Sequence, residues 1–306
     1  MKILYAGSSQ SSSSILESLI ASSNEVVGVI SQPDKRSKRR AAAEPSYVSS
    51  VAEKNNIVVY KPKTLDDDFK HAISKLDFDI LLVVAYGKIL PAWLLKSPTK
   101  ESINIHFSLL PKYRGASPIQ SALLKNEKVT GISVMRMTDG LDEGPIYFFH
   151  KQEIFNDDNK NTLEDKLTSL AIKNIEKDLS DIYLDKVVPI KQSSKNISYC
   201  KKIDKLSGRI TLDQEESDIV FRKYKAYYDW PGLYFELKNL KIKIHGIDLK
   251  VKKNIDFMNS KFCFQDNFLH AKTLDGSIVI THLQFPGKGI ISSNDAANSY
   301  ADFFLN

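Results

Sequence analysis

"DILLVVA", residues 79 to 85, is the stretch on which the fold turns. After Asp79 the run is continuously apolar, with no polar residue at alternate positions. That is the pattern of a central strand covered on both faces, as in a parallel sheet. Such a strand needs parallel neighbours joined by crossovers, and the flanking sequence offers them. Upstream, Lys2 to Ala6, Glu25 to Ser31 and Ile57 to Tyr60 read as short strands, separated by amphipathic stretches at Ile15 to Ala21 and Tyr47 to Lys54. Leu65 to Leu76 places Phe69, Ile73 and Leu76 at helical spacing. Downstream, Ser102 to Phe107 and Gly131 to Met137 read as strands on either side of a helix, Pro118 to Lys125, opened by proline. The alternation predicts an α/β domain with an open, doubly wound, Rossmann-like sheet.

Near residue 190 the composition changes. "PIKQSSKNISYCKKIDKLSGR" is polar and basic without a clear period and reads as a linker. Beyond it, Tyr234 to Leu237, Leu240 to His245, Phe268 to Lys272 and Ser277 to Leu283 form short strand-like runs between turn signals, which predicts a small, OB-like β-barrel. The expected organisation is a catalytic domain over residues 1–189, a linker over 190–206 and a C-terminal domain over 207–306.

The chain has 306 residues, enough for two ordinary domains. No apolar run approaches the roughly 18 residues of a membrane span. The run of four apolar side chains from Ile3 to Ala6, before the serine-rich stretch at Ser8, is too short for a secretory h-region, so a cytoplasmic protein is expected. Cys200 and Cys263 are the only cysteines, which suggests neither a disulfide framework nor a zinc site. The net charge of +6 is modest, but five of its cations fall in "KRSKRR", residues 35 to 40. Most such runs are merely solvated; a polyanionic partner is the alternative.

Open α/β sheets bind ligands at the carboxyl ends of their strands. Gly7 follows the first strand alone in "AGSSQSSSS", without the further glycines that a dinucleotide pyrophosphate needs, so it reads first as a turn glycine. More specific is "NIHFSLLPKYRGASPIQ", residues 104 to 120. Asn104 and His106 are two apart, so on a strand they share one side. An amide NH₂ and an imidazole suit carbonyl chemistry through a tetrahedral intermediate, in which donors aimed at a developing oxyanion matter most. The pair alone fits equally a satisfied strand-end histidine and a turn-capping asparagine. "MTDGLDEGP", residues 137 to 145, adds Asp139, Asp142 and Glu143. Asp139 reads as a turn former, whereas Asp142, before the Gly144-Pro145 break, is placed to fold inward and orient His106.

These two segments together resemble the folate-dependent formyltransferases, with Asn104, His106 and Asp142 matching the family's catalytic trio and Ser108-Leu109-Leu110-Pro111 its signature loop. The likeness extends along the chain. "SQPDKRSKRR" and "EPSYV" are similar to the inserted loop of the members that act on charged initiator tRNA, "LLVVAYGKILP" to the folate-site segment, and "SGRITLD", "YYDWPGLYFEL" and "LQFPGKGIIS" to the C-terminal domain. Three departures stand out. The segment after Gly7 is "SSQSSSSI" where the family usually carries aromatic residues and proline. Tyr228-Asp229 stands where Asn-Pro usually precedes Trp-Pro-Gly, and Lys225 replaces an arginine, keeping the charge without the planar fork.

The resemblance implies an enzyme that moves the formyl group of 10-formyltetrahydrofolate, without a metal, to the α-amino group of methionyl initiator tRNA. It implies folate contacts at Tyr86, Gly87, Ile89, Leu90, Pro91, Ser108, Leu109, Leu110 and Pro111. It implies tRNA contacts at Lys35, Arg36, Lys38, Arg39, Arg40, Lys201, Lys202, Arg209 and Lys225, with Tyr224, Tyr227 and Tyr228 lining the same track and Trp230 in the core. The family pattern is that of a monomer, with no membrane partner. An amino-sugar nucleotide as acceptor, a formate-releasing hydrolase and a non-catalytic RNA-binding relative are the alternatives; the first has no need of "KRSKRR".

Overall fold

The structure, a computed structural model, describes residues 1–36, 42–252, 255–257 and 260–305. The chain divides into two compact units. The first comprises residues 1–118, 128–155 and 162–201; the second comprises 119–127, 156–161 and 202 onward. The stretch 190–206 is therefore shared, with residues through Lys201 in the first unit and those from Lys202 in the second.

From the N-terminus the elements are β1 (Lys2–Gly7), α1 (Gln10–Ile20), β2 (Glu25–Ile30), the two-residue β3 (Lys35–Arg36) and β4 (Ala43–Glu44), α2 (Tyr47–Lys54), β5 (Val59–Tyr60) and α3 (Asp67–Ile73). Next come β6 (Ile80–Val84), α4 (Ala92–Leu95), β7 (Glu101–His106), β8 (Arg114–Gly115), α5 (Pro118–Leu124), β9 (Val129–Arg136), β10 (Ile146–Glu153), α6 (Lys160–Tyr183) and β11 (Tyr199–Cys200). The main sheet of the first unit runs β10-β9-β7-β6-β1-β2-β5. Five strands are parallel, whereas β9 runs antiparallel to β7 and β10 antiparallel to β9. The strand expected at Gly131 to Met137 thus exists as β9 but turns the sheet antiparallel at that side.

Every residue of β6 is buried, as its unbroken apolar run requires. Alternate residues Leu4 and Ala6 of β1 and Leu81 and Val83 of β6 join Phe69, Ile73 and Leu94 in one core cluster. Ile3, Tyr5, Ile80 and Leu82 are fully buried too, at the intervening positions that point to the opposite face. A fully buried Leu or Ile contributes about 1.5–3 kcal/mol, so this double coverage is what holds the sheet.

The serines after Gly7 are helical. α1 begins at Gln10, five residues before the expected apolar stretch, with Ser9 as its N-cap accepting from the Ser12 N–H. Ser11, Ser12 and Ser13 are buried, and the Tyr5 hydroxyl donates to the Ser12 carbonyl at 2.7 Å. A Cβ on Gly7 would stand 1.9 Å from Ser12 Oγ and 2.8 Å from the Val84 carbonyl oxygen. Small side chains and a glycine are what let α1 lie this close to the strand ends.

The second unit contains α7 (Ser217–Ala226), β12 (Leu233–Leu237), β13 (Leu240–Lys252), β14 (Phe262–Gln265), β15 (Phe268–Thr273), β16 (Gly276–Gln284), β17 (Ile290–Ser292) and α8 (Ser293–Leu305). Its antiparallel sheet is ordered β12-β13-β16-β15-β14, with β17 on β16. The two ends of that order meet across the core: Phe235 of β12 and Phe262 of β14 have ring centroids 5.2 Å apart, and Phe304 of α8 stacks edge-on against Phe262 at 5.2 Å. The sheet curls on itself in the manner of a small barrel.

Trp230, expected in this core, is 51% exposed. Asp229 and Gly232 take positive φ values of 70° and 73°, so the chain reverses there; buried Tyr227 and Leu233 fill the interior on either side while the indole is turned outward.

Candidate active site

β7 delivers Asn104 and His106 to the carboxyl end of the sheet, on one face of the strand and both buried. The ends of β1, β6 and β7 lie side by side, and the strand order reverses between β1 and β6, the place where open sheets form a ligand crevice. Across it the Gln32 amide donates to the Tyr86 carbonyl at 2.9 Å.

After His106 the chain enters a turn laced by its own hydrogen bonds. Ser108 Oγ donates to the Lys112 carbonyl at 2.7 Å, and the Lys112 N–H to the Leu109 carbonyl at 3.2 Å. Ser133 of β9 pins the turn from outside, accepting the Leu110 N–H at 3.0 Å and donating to the Ser108 carbonyl at 2.7 Å. The turn closes through Tyr113, whose φ of 60° is uncommon for a non-glycine residue. It brings the Tyr113 carbonyl 2.9 Å from His106 Nε2. A carbonyl only accepts, so Nε2 carries the proton in that contact. This is why Ser-Leu-Leu-Pro and Lys-Tyr-Arg-Gly come after the histidine: the chain returns to hold it.

One residue further on, β8 meets the acidic loop. The Gly115 N–H donates to Asp142 Oδ2 at 2.8 Å, and the same oxygen lies 3.6 Å from His106 Nδ1. Gly115 has φ of 119° and pairs so tightly with β11 that a Cβ would stand 2.3 Å from the Cys200 carbonyl oxygen; only glycine fits. Asp139, by contrast, is exposed in a bend. Three side chains expected to act together are therefore placed together, two on one strand and one folded in from a loop.

The remaining residues expected from the sequence divide between the two units. The Tyr86 ring and Leu90 are part of the core cluster, and burial pushes the Tyr86 phenol up to about 12. Gly87 has φ of 79°, Ile89 is 87% exposed, and Pro91 precedes α4 as its N-cap. Leu110 is buried against Met135 and Ile146, while Leu109 and Pro111 are half-buried. Lys35 and Arg36 are exposed on β3; Lys38, Arg39 and Arg40 lie outside the described residues. Lys201 is exposed at the end of the first unit. In the second unit Lys202 is exposed, Arg209 pairs with Glu236 at 2.9 Å, and Lys225 Nζ donates to the Asn156 carbonyl at 3.4 Å. Tyr224, Tyr227 and Tyr228, with Lys243 and His245, line a cavity of about 180 Å³. Among the described residues no three His, Cys, Asp or Glu side chains cluster as a metal site would require, and no helix is long and apolar enough to cross a membrane.

Several site contacts carried no signal in the sequence. The Tyr113 carbonyl and the Gly115 N–H are backbone groups, invisible to any residue-type reading. Gln192 sits in the polar stretch read as a linker, yet its amide spans the Asp142 loop and Arg114.

Residues 1–179 match the family described as formyl transferase, and residues 202–301 match the formyl transferase C-terminal domain. A methionyl-tRNA formyltransferase of Sulfurihydrogenibium sp. is 34% identical over 305 residues, covering 98% of this chain and 97% of that protein. Another, of Nitratiruptor sp., is 38% identical over 291 residues, covering 94% and 93%. Among solved structures, a sugar 3N-formyl transferase in the presence of dTDP and 5-N-formyl-THF has a TM-score of 0.67 at 22% identity, covering 94% of this chain and 99% of that one. An N-formyltransferase of Helicobacter canadensis, in complex with folinic acid and dTDP-3-aminofucose, has a TM-score of 0.66 at 20% identity, covering 92% and 98%. With both parts of the sequence matched and relatives alike nearly end to end, the chain belongs to the formyl transferase family.

Proposed function

We propose that this enzyme transfers the formyl group of 10-formyltetrahydrofolate to the α-amino group of methionyl initiator tRNA. The observation that carries the reading is the meeting of Asn104, His106 and Asp142 at the carboxyl end of β7, in a chain whose near-full-length relatives bear the name methionyl-tRNA formyltransferase.

The chemistry comes from those groups. An α-amino group has a reference pKa of about 7.7–8.0, so a usable fraction is neutral near pH 7 and can attack the formyl carbon. The C–N bond forms as the carbonyl π pair moves to oxygen, giving a tetrahedral oxyanion. The Asn104 amide donates to that oxygen, joined by a His106 N–H that turns from its resting partner when substrate binds, while Asp142 orients the imidazole and relays the proton that leaves the amine. Collapse expels the folate nitrogen, which takes up a proton. Most of the work is holding the amine and the formyl carbon together. The pterin lies along residues 84–91 and the Ser108–Pro111 turn. The cations from Lys35 to Arg40, with Lys201, Lys202, Arg209 and Lys225, neutralise tRNA phosphates. The enzyme acts as a monomer in the bacterial cytoplasm.

An amino-sugar nucleotide is the second acceptor to consider, because sugar N-formyltransferases share the fold. The test is direct: supply 10-formyltetrahydrofolate with charged initiator tRNA, charged elongator tRNA or a 4-amino-sugar nucleotide and measure formylation. Preference for charged initiator tRNA is expected; formylation of the sugar nucleotide instead overturns the reading.

A further inference from the structure

Gln192 uses its whole hydrogen-bonding capacity on one task. Its Nε2 donates to the carbonyls of Asp142 at 2.7 Å and Gly144 at 2.8 Å. Its Oε1 accepts from Arg114 Nε at 3.1 Å and Nη2 at 2.7 Å. A primary amide offers two N–H donors and one oxygen with two lone pairs, and all are engaged. The orientation is unambiguous, since a flipped amide would set oxygen against two carbonyl oxygens and NH₂ against a guanidinium. Arg114 is itself 6% exposed, so the clamp is built into the interior.

The clamp closes on the residue that needs it. Asp142 has φ of 51°, a backbone conformation that a non-glycine residue keeps only when its surroundings impose it. Its carboxylate is fixed by the Gly115 N–H, next in sequence to Arg114, while its main chain is fixed by Gln192. β8 thus holds Asp142 twice, once directly and once through Gln192.

We infer that Gln192 is a positioning residue for the reaction: by bridging Arg114 to the Asp142–Gly144 backbone it sets the Asp142 carboxylate against His106. The inference rests on the proposed role of Asp142 in formyl transfer.

The test is a cycle of Gln192→Glu, Asp142→Asn and the double variant in the intact enzyme, with 10-formyltetrahydrofolate and charged initiator tRNA. Gln192→Glu keeps an acceptor for Arg114 but replaces both donors to the Asp142 loop. The expected result is a kcat lower by about 10- to 100-fold, as misplacement of a reacting group by an ångström gives, with both KM values within about threefold. In the Asp142→Asn background the same change should cost less than about threefold, because the group it positions is already disabled. Should Gln192→Glu fail to fold, Gln192→Met enters the same cycle. Unchanged kcat in the Gln192 variant, or a full multiplicative loss in the double variant, overturns the inference alone. Wild-type activity in Asp142→Asn overturns the proposed role of Asp142 and this inference together.

Discussion

His106 Nδ1 and Asp142 Oδ2 stand 3.6 Å apart, slightly beyond hydrogen-bond length, with the carboxylate oxygen tied back by the Gly115 N–H at 2.8 Å. The other ring nitrogen is engaged by the Tyr113 carbonyl at 2.9 Å. Each nitrogen therefore faces an oxygen, with the Nε2 proton given to the Tyr113 carbonyl and Nδ1 turned toward the carboxylate. A small closing movement on binding substrate would complete the Nδ1 contact.

Asp142→Asn should accordingly lower kcat by about a hundredfold while leaving folate affinity near wild type, since it removes the charge and not the fold. Steady-state kinetics with both substrates varied, and fluorescence titration of folate, check this. Loss of folate affinity with unchanged turnover would assign Asp142 to binding instead.

Gly7→Ala should destabilise the first unit by about 1–3 kcal/mol, because its Cβ would press on Ser12 Oγ and, more rigidly, on the Val84 carbonyl oxygen. Urea unfolding reads the change. A variant as stable as wild type would mean that α1 shifts away from the strand ends without cost.

Asp275 Oδ1 accepts the Ser217 N–H and hydroxyl at 2.8 Å each and the Thr273 hydroxyl at 3.1 Å. These hydrogen bonds, the Ser217 N–H foremost, hold its carboxyl below the usual carboxylate range. A depressed pKa contributes stability that is present above the ordinary value of about 3.9 and is lost as pH falls through the lowered one. Asp275→Asn should therefore cost the second unit about 1 kcal/mol at pH 7, a modest figure because solvent screens this exposed carboxylate, and the deficit should narrow below about pH 4. Urea midpoints at pH 7 and pH 3 measure it; a deficit equal at both would mean that charge plays no part.

Replacing Lys35, Arg36, Lys38, Arg39 and Arg40 by Ala should weaken initiator tRNA binding and flatten its salt dependence, each lost phosphate contact removing about 0.7–0.9 from the log–log slope. Folate binding should persist, and stability should change by no more than about 0.5 kcal/mol, since the run offers no apolar side chain to a core. An unchanged KM and salt slope would place RNA selection outside this loop.

How much of the fold and the site was legible depended on where the information resides. β6 was readable because burial on both faces leaves a continuous apolar run, and Asn104 and His106 because a strand places i and i+2 together. The antiparallel pairing of β9 with β7 and with β10 was not, since strand direction is decided by pairing partners and not by periodicity. α6 went unread because its buried apolar residues, Leu163, Leu167, Ala171, Ile175, Leu179 and Ile182, are diluted by charged and polar residues along 24 residues. The start of α1 was hidden because serine is a poor helix former; there, close approach of Tyr5 and Gly7 outweighs propensity. Trp230 was misplaced because an indole in a β-rich segment suggests core, while the positive-φ residues Asp229 and Gly232 turn it outward. Gln192 carried no signal, as a polar residue among polar residues shows its role only through its contacts.

The most direct test of formyl transfer at this site is a single-turnover measurement. Enzyme loaded with 10-formyltetrahydrofolate is mixed with charged initiator tRNA at saturating concentration, and formylmethionyl product is measured by rapid quench for wild type, Asn104→Ala and His106→Ala. Each variant should bind both substrates as wild type does and transfer at least about a hundredfold more slowly, because each lacks a donor to the transition-state oxyanion. Transfer at the wild-type rate by either variant would contradict the assignment of the reaction to the end of β7.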